Sequence, residues 1–212
     1  MVRGVGRKTY LNLEKGRFYG VGKYDMPLLR REDMGLPSRW IGFNEVNSYK
    51  GDCTSTGVHF FLDDYQFERV WQRPSVYVRS LRRFAVVATP DFSMYTDYPR
   101  AMQVWNQYRK QWLGAYWQSC GVHVWPTAAW SDADSYDWCF DGIPQGATVL
   151  VSAVGIGKSA AAVARFCAGY AAMMRRIKPA KVVAYGELPK GCGADEVIQT
   201  QSTDVRKRVE GR

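Results

Sequence analysis

Short apolar runs alternate along this chain with longer amphipathic segments, and this alternation constrains the fold more than any other feature. Six runs have the length and composition of buried strands, at residues 40–43, 58–62, 84–88, 122–125, 147–154 and 181–185. The segments between them predict helices over 67–81, interrupted at Pro74, over about 99–120 and over 159–177. Such alternation is typical of a mainly parallel sheet covered by helices, so the sequence predicts an α/β fold of about six strands.

The helix after Pro99 has the clearest pattern of the three. Its apolar residues recur at spacings of three and four, which predicts that one face packs on the core. That face contains Val104, Trp105, Tyr108, Trp112, Leu113, Tyr116 and Trp117.

Two architectures satisfy this pattern: an open layered sheet, or an incomplete barrel of the triosephosphate-isomerase type. A complete eight-stranded barrel typically needs ~250 residues, and this chain has 212. The predicted organisation is a basic, glycine-rich N-terminal arm over 1–39, a single α/β domain over 40–190 and a flexible basic tail over 191–212. In both architectures, ligands bind where the carboxyl ends of the strands meet the following loops.

Acidic side chains follow three of the predicted strands. Glu45 comes after the first strand, Asp63 and Asp64 after the second, and Asp91 after the third. Carboxylates gathered at one edge could hold Mg²⁺ or Mn²⁺, or could act as general acid and base. Glu45, Asp63 and Asp91 are therefore the candidate catalytic residues, and Asp63, Asp64 and Asp91 are the candidate metal ligands.

A structural role competes with this interpretation, because Asp after a strand commonly caps the next helix. Asp64 stands before Tyr65-Gln-Phe-Glu68, near the start of the predicted helix, and fits a cap best. Strand alternation could also turn Asp63 away from the edge. Asp63 and Asp91 are nevertheless stronger functional candidates than Asp64.

The segment Val154-Gly-Ile-Gly-Lys-Ser159 follows a predicted strand and opens a helix. Backbone N–H groups at a helix N-terminus bind anions, so the candidate phosphate contacts are Gly155, Gly157, Lys158 and Ser159. The segment nearly matches the nucleotide-binding pattern G-x-x-x-x-G-K-[ST], but Ser152 stands where the first glycine is required. Simple phosphate contact is therefore favoured over hydrolysis of a nucleoside triphosphate.

The chain carries a formal net charge of +9, which favours a polyanionic partner such as nucleic acid. Residues 15–23 interleave basic and aromatic side chains, as nucleic-acid contacts do, and Trp130 is a candidate stacking platform. Lys15, Arg17 and Trp130 are thus candidate nucleic-acid contacts. The alternatives are a basic surface without such a partner and an arm that packs Phe18 and Tyr19 on the domain.

Several expectations concern what the chain lacks. No apolar stretch of ~18 residues predicts a membrane span, and no secretory signal is expected at the N-terminus. The five cysteines form no CxxC pair, so we expect free thiols in a reducing cytoplasm. His59 and His123 lie in apolar runs, which favours buried structural roles over metal binding.

Several segments together resemble a protein family of bacteriophages, plasmids and other mobile elements that is classed as a domain of unknown function. The likeness spans about residues 40–186 and rests on HFFLDDYQFERVW (59–71), TPDFSMY (89–95), NQYR (106–109), GVHVWP (121–126) and FDGIP (140–144). The resemblance implies a phage or mobile-element origin, and a role in replication, DNA handling or host takeover within the bacterial cytoplasm. It implies no catalytic residues.

Three functions are consistent with these features. The first is action on nucleic acid, in the manner of a metal-dependent nuclease or a replication factor. The second is a barrel-type enzyme or sponge whose ligand is a nucleotide or carries a phosphate. The third is a non-catalytic protein that binds a host or virion protein through exposed Trp and Tyr side chains.

Overall fold

The computed structural model describes residues 18–156 and 159–199. The described chain begins with a two-stranded antiparallel sheet, β1 (Gly20–Val21) and β2 (Met26–Pro27). A four-stranded parallel sheet follows in the order β3 (Arg39–Gly42), β4 (Thr56–His59), β5 (Val86–Ala88) and β6 (Val124–Trp125). A three-stranded parallel sheet contains β7 (Thr148–Ser152), β8 (Lys181–Tyr185) and β9 (Glu196–Ile198).

Four α-helices lie within the described ranges. The strands β4 and β5 are connected by α1 (Asp64–Gln72) and α2 (Pro74–Leu81), and Pro74 occupies the first turn of α2, as the predicted break requires. The long helix α3 (Arg100–Ser119) leads to β6, and α4 (Ala160–Ile177) connects β7 to β8. None of these helices combines the length and the apolar character that a membrane crossing needs.

The two parallel sheets meet at a narrow junction. Thr127 and Leu150 form a single parallel bridge, in which the Leu150 amide donates to Pro126 at 2.9 Å and the Ala128 amide donates to Leu150 at 2.8 Å. The outer strands β3 and β9 are linked by a side-chain hydrogen bond, which Trp40 donates to Glu196 at 3.1 Å. The described residues contain no main-chain pairing between β3 and β9.

The α/β class and the mainly parallel pairing are confirmed, but the prediction of one sheet of about six strands is corrected. The described parallel strands divide into sheets of four and three. The physical reason lies at Pro126, which ends β6 after two residues because proline has no N–H group to donate. Only the bridge beyond it continues the pairing toward β7.

Ordered structure extends into both predicted terminal segments. The range 1–39 contains the β1–β2 sheet, and Met26 and Leu29 within it are fully buried. The range 191–212, predicted as a flexible tail, contains β9, which pairs with β8. These elements are only two or three residues long, so hydrophobic periodicity could not detect them.

Three hydrophobic clusters fill the interior. One lies between the four-stranded sheet and α1 to α3, and a second lies between α4 and the three-stranded sheet. The third draws side chains from strands of both sheets, among them Val86, Trp125, Leu150, Val183 and Ile198. Both sheets therefore share one layer of apolar packing.

The predicted apolar face of α3 needs correction. Trp112, Leu113 and Trp117 are buried as expected, but Val104, Tyr108 and Tyr116 are half-buried and Trp105 is 42% exposed. A set of polar residues is buried in the same helix: Gln103, Asn106, Gln107, Arg109, Lys110, Gln111 and Gln118. The helix is surrounded by protein along most of its length, so a single apolar stripe does not describe it.

The two histidines differ. His59 is buried at the end of β4, as predicted. The prediction for His123 is wrong, because its side chain is 60% exposed and Nδ1 lies 2.9 Å from Glu32. β6 is shorter than the predicted strand and begins only at Val124, so His123 lies just before it, although its carbonyl accepts a hydrogen bond from Val87 of β5 at 2.9 Å.

Candidate functional site

A cleft lies where the strands β4, β5 and β7 end, at the edge that parallel α/β folds use for ligands. Its main cavity of about 370 Å³ is bordered by Asp63 and Asp91 from the first sheet, by Ser152 and Gly155 from the second, and by Trp130. A second cavity of about 290 Å³ adjoins it, shares Trp130 and Gly155, and is also lined by Arg165. We refer to the two cavities together as the strand-end cleft.

Asp63 and Asp91, which the sequence identified as the best candidates, therefore border the same cavity. Asp63 is the N-terminal flanking residue of α1, and its side chain makes no capping hydrogen bond there. The predicted cap at Asp64 is wrong, because Asp64 is already the first residue of the helix. Its carboxylate instead accepts hydrogen bonds from the amide and the hydroxyl of Ser93, at 3.1 and 2.9 Å.

The loop 91–98 forms one wall of the cleft, and polar side chains from α3 hold its main chain. Asn106 donates to the carbonyl of Ser93 at 2.7 Å. Gln103 donates to the carbonyls of Tyr95 and Tyr98 at 3.0 and 2.9 Å. The loop has no regular secondary structure, so these bonds fix a wall that the sheet itself does not support.

Two cationic residues of α3 lie beneath the same loop. Arg109 forms a bidentate ion pair with Glu68 of α1 at 2.7 Å, and its guanidinium lies 3.7 Å from the ring centre of Phe92. Lys110 is completely buried and donates to the carbonyl of Thr127 at 3.4 Å. Burial lowers the pKa of Lys110, and the negative charge of nearby Asp91 opposes that effect in part.

The opposite wall is aromatic. Trp130 packs against Phe166 of α4, with ring centres 5.0 Å apart, and against Phe140 at 6.2 Å. Gly169 permits this approach, since a Cβ atom there would lie about 2.1 Å from the indole nitrogen. Trp130 is thus half-buried, held by α4, and lines both cavities of the cleft.

The glycine segment after β7 turns as the sequence predicts. Gly155 has a φ of +87°, a left-handed conformation that favours glycine. Ser159 caps α4 by accepting a hydrogen bond from Ala162 at 3.2 Å. Gly157 and Lys158 lie outside the described residues, as do Lys15 and Arg17. At the start of the described chain, Phe18 packs on Trp112 while Tyr19 is exposed.

Glu45 does not join Asp63 and Asp91 in the strand-end cleft. Its carboxylate accepts a hydrogen bond from the amide of Gly42 at 3.3 Å, in a separate cavity of about 70 Å³ that also contains His59. His59 accepts a hydrogen bond from the amide of Phe61 at Nδ1, and burial lowers its pKa to about 3. The ring is therefore neutral, with its proton on Nε2.

The predicted metal ligands do not form a complete site. The described residues contain no group of three or more His, Cys, Asp or Glu side chains placed to hold a metal ion. Asp64 accepts hydrogen bonds from Ser93 and does not line the cleft, whereas Asp63 and Asp91 do. An Mg²⁺ ion bound by these two carboxylates would take its other ligands from water or from a bound molecule, as Mg²⁺ commonly does.

Sequence reasoning missed the residues that support the cleft. Gln103, Asn106, Arg109 and Lys110 recur at spacings of three and one along α3, so they form a second, polar stripe. The spacing of these polar residues is present in the sequence, but the aromatic residues beside them form a stronger helical pattern. Arg165 was missed because its helix carries several arginines and nothing in the sequence distinguishes one of them.

The fold and the cleft define an α/β protein with parallel strands and a ligand-sized, polar cleft at their carboxyl ends. A family model described as "Domain of unknown function (DUF4417)" matches residues 18–201, and the chain belongs to this family. The predicted resemblance is thereby confirmed.

Two curated bacteriophage proteins are similar to this chain over 184 residues. A "Gene 1 protein" of Mycobacterium phage D29 is 42% identical, and the match covers 86% of this chain and 67% of the relative. A "Gene 1 protein" of Mycobacterium phage L5 is 40% identical, with 86% of this chain and 80% of the relative covered. No solved structure matches the chain. The matches support a bacteriophage origin.

Proposed function

We propose that this protein binds a nucleotide in the strand-end cleft and that Asp63 and Asp91 act on the bound molecule. The observation that carries the proposal is that these two carboxylates, from the ends of two neighbouring strands, border one cavity together with Trp130 and Gly155. An aromatic wall suits a nucleobase, and a left-handed glycine after a strand allows close approach of a ligand to the backbone.

We propose further that the two parallel sheets together form an incomplete barrel. The parallel strands follow one another in chain order across both sheets, and the Trp40–Glu196 hydrogen bond joins the first parallel strand to the last. The shared apolar layer would then be the barrel interior, with the cleft at its carboxyl mouth.

The size and the charge of the described part favour a small ligand over a long strand of nucleic acid. The two cavities together suit a molecule of nucleotide size, since ligand pockets commonly range over about 300–1,000 Å³. Residues 1–17, 157–158 and 200–212 contain ten of the 29 Lys and Arg residues but only three of the 20 Asp and Glu residues. The described part is therefore close to neutral.

A calorimetric titration with nucleoside 5′-phosphates, with and without Mg²⁺, tests the proposal. Asp63→Asn and Asp91→Asn should each weaken binding or remove its dependence on Mg²⁺. Asp134→Asn is the matched control, because the Asp134 side chain is 88% exposed and lies outside the cleft. Nucleotide binding that is unchanged in both cleft variants would overturn the proposal that Asp63 and Asp91 act on the ligand. Absence of nucleotide binding to the wild type would favour a non-catalytic binder of host or virion proteins.

A second candidate is action on nucleic acid, which the concentration of basic residues in 1–17 and 200–212 favours. In this case the terminal segments bind the strand and the cleft acts on one nucleotide of it. Lys15→Ala combined with Arg17→Ala should lower affinity for single-stranded DNA and should reduce the salt dependence by about one to two phosphate contacts.

The matched control is Lys190→Ala together with Arg175→Ala, which removes the same charge from exposed positions. If the wild type cleaves DNA in the presence of Mg²⁺, and Asp63→Asn still binds DNA but no longer cleaves it, nuclease action is established. Absence of binding to DNA and RNA at low salt would exclude this second candidate.

A further inference from the structure

Arg165 differs in its surroundings from other arginines near the cleft. Arg100, Arg109 and Arg176 each pair with an acidic side chain, at Asp132, Glu68 and Asp141 respectively. Among residues 18–156 and 159–199, the guanidinium of Arg165 forms no ion pair, and its charge lies near the phenol of Tyr136, where it partly opposes the rise in the pKa of that group. Its guanidinium carries a positive charge, as arginine side chains in proteins do.

Its position is defined by α4. Phe166, the next residue, is buried against Trp130, which fixes the helix against the aromatic wall of the cleft. Arg165 is exposed and lines the cavity beside Ile156 and Ala162. The described exposed arginines Arg73, Arg79 and Arg82 line neither cavity of the cleft.

The two cavities of the cleft therefore carry opposite charges. Asp63 and Asp91 line only the main cavity, Arg165 lines only the second cavity, and a set of residues lines both. Those shared residues include Trp130 and Tyr95, which present aromatic surface. A complementary ligand has an anionic group at one end, a flat ring in the middle and hydrogen-bond donors at the other end.

We infer that Arg165 forms a phosphate subsite, and that the ligand is a nucleoside 5′-phosphate bound with its phosphate at α4 and its base against Trp130. The amino and imino groups of the base face the acceptor-only carboxylates of Asp63 and Asp91. A guanidinium binds a phosphate through two parallel hydrogen bonds, which a lysine cannot do. This inference rests on the proposed function, which it deepens by assigning the orientation of the ligand.

The test compares each of four nucleosides with its 5′-monophosphate by calorimetry, in the full-length wild-type protein and in Arg165→Gln. A charged hydrogen-bonded contact contributes about 1.5–3 kcal/mol, so the wild type should bind a monophosphate about 10–100-fold more tightly than its nucleoside. In Arg165→Gln the two affinities should be nearly equal, and nucleoside binding should be unchanged. Competition by inorganic phosphate should be lost in the same variant.

Arg175→Gln is the matched control, because it removes the same charge from an exposed position on the same helix and outside the cleft. Thermal unfolding of both variants verifies that each is folded. A monophosphate preference that survives in Arg165→Gln, or that is lost equally in Arg175→Gln, overturns the phosphate subsite while the proposed function stands. If neither nucleosides nor monophosphates bind the wild type, both proposals fall.

Discussion

The helices α3 and α4 are similar in length, but they contribute to the molecule in different ways. In α4 the buried residues are mainly apolar and the arginines are exposed, as in an ordinary amphipathic helix, although Arg176 also pairs with Asp141 and Arg165 lines the cleft. In α3 seven polar or charged residues are buried, and an aromatic residue, Trp105, is exposed. The buried polar groups of α3 mostly contact main-chain atoms of loops, including the loop 91–98 at the cleft. The comparison indicates that α4 is held by apolar packing, whereas α3 is also a scaffold for the cleft.

The largest expected effects test the apolar part of both helices. Trp117→Ala should lower the free energy of unfolding by about 4 kcal/mol and Met173→Ala by about 3 kcal/mol, because both side chains are completely buried and leave cavities. Urea unfolding measures both. Met174→Ala, at the exposed neighbouring position, should change stability by less than about 0.5 kcal/mol. A cost below about 1 kcal/mol for Trp117→Ala would contradict the central position of α3.

Arg109→Met should destabilise the protein by about 2 kcal/mol in the same assay. The change removes the ion pair with Glu68 and the contact with Phe92, but Glu68 is partly exposed and can be solvated, which limits the cost. Arg175→Met removes a charge from α4 and should cost less than about 0.5 kcal/mol. Equal effects of the two substitutions would remove the distinction between the helices.

Asn106→Ala should cost about 1–2 kcal/mol, because the Ser93 carbonyl loses its donor. The substitution should also loosen the loop that Asn106 supports, and this effect should be confined to that loop. Hydrogen exchange should accelerate at the amides of residues 93–98 and should stay unchanged in α4, as measured by mass spectrometry. Uniform acceleration throughout the protein would show that Asn106 supports the whole fold and has no particular role at the cleft wall.

Lys110→Met should have its clearest effect on the pH dependence of stability. Burial lowers the pKa of Lys110 in the folded protein, while the unfolded chain keeps the ordinary value near 10.5. Between these two values the unfolded state binds a proton that the folded state lacks, so wild-type stability should rise with pH up to about 10.5.

The Lys110→Met variant should lack this rise, and Lys190→Met, at an exposed position, should retain it. Thermal unfolding at a series of pH values compares the three proteins. Parallel curves for the wild type and Lys110→Met would mean that the Lys110 amine stays protonated in the folded state over the pH range tested.

The same helices show what the sequence could reveal. For α4 the predicted span of 159–177 agrees with the observed Ala160–Ile177, because apolar residues recur along the whole helix. On α3 the periodicity was real, but it identified Trp105 and missed Lys110, since protein surrounds this helix on most sides. Burial of polar groups depends on partners distant in sequence, such as the Thr127 carbonyl, and local pattern carries no information about them.

For the candidate site, the strand-end rule brought Asp63, Asp91, Trp130 and Gly155 to one cavity from four separate segments. The same rule misplaced Glu45, because the first strand ends beside β4 and β9 and its loop turns toward the smaller cavity. Its carboxylate also closes the short helical turn Phe43–Glu45. Which strand ends share a cavity depends on the curvature of the sheets, and the sequence pattern does not contain that curvature.

The manner in which α3 holds the loop 91–98 has an evolutionary consequence. Gln103 and Asn106 bind carbonyl oxygens, which every amino acid possesses, so the support does not depend on the side chains at positions 95 and 98. Tyr95 lines both cavities of the cleft, so a substitution at position 95 can change the lining while the path of the backbone is preserved. A phage lineage under changing selection could in this way acquire a new ligand preference by altering a few loop residues, without rebuilding the protein beneath them.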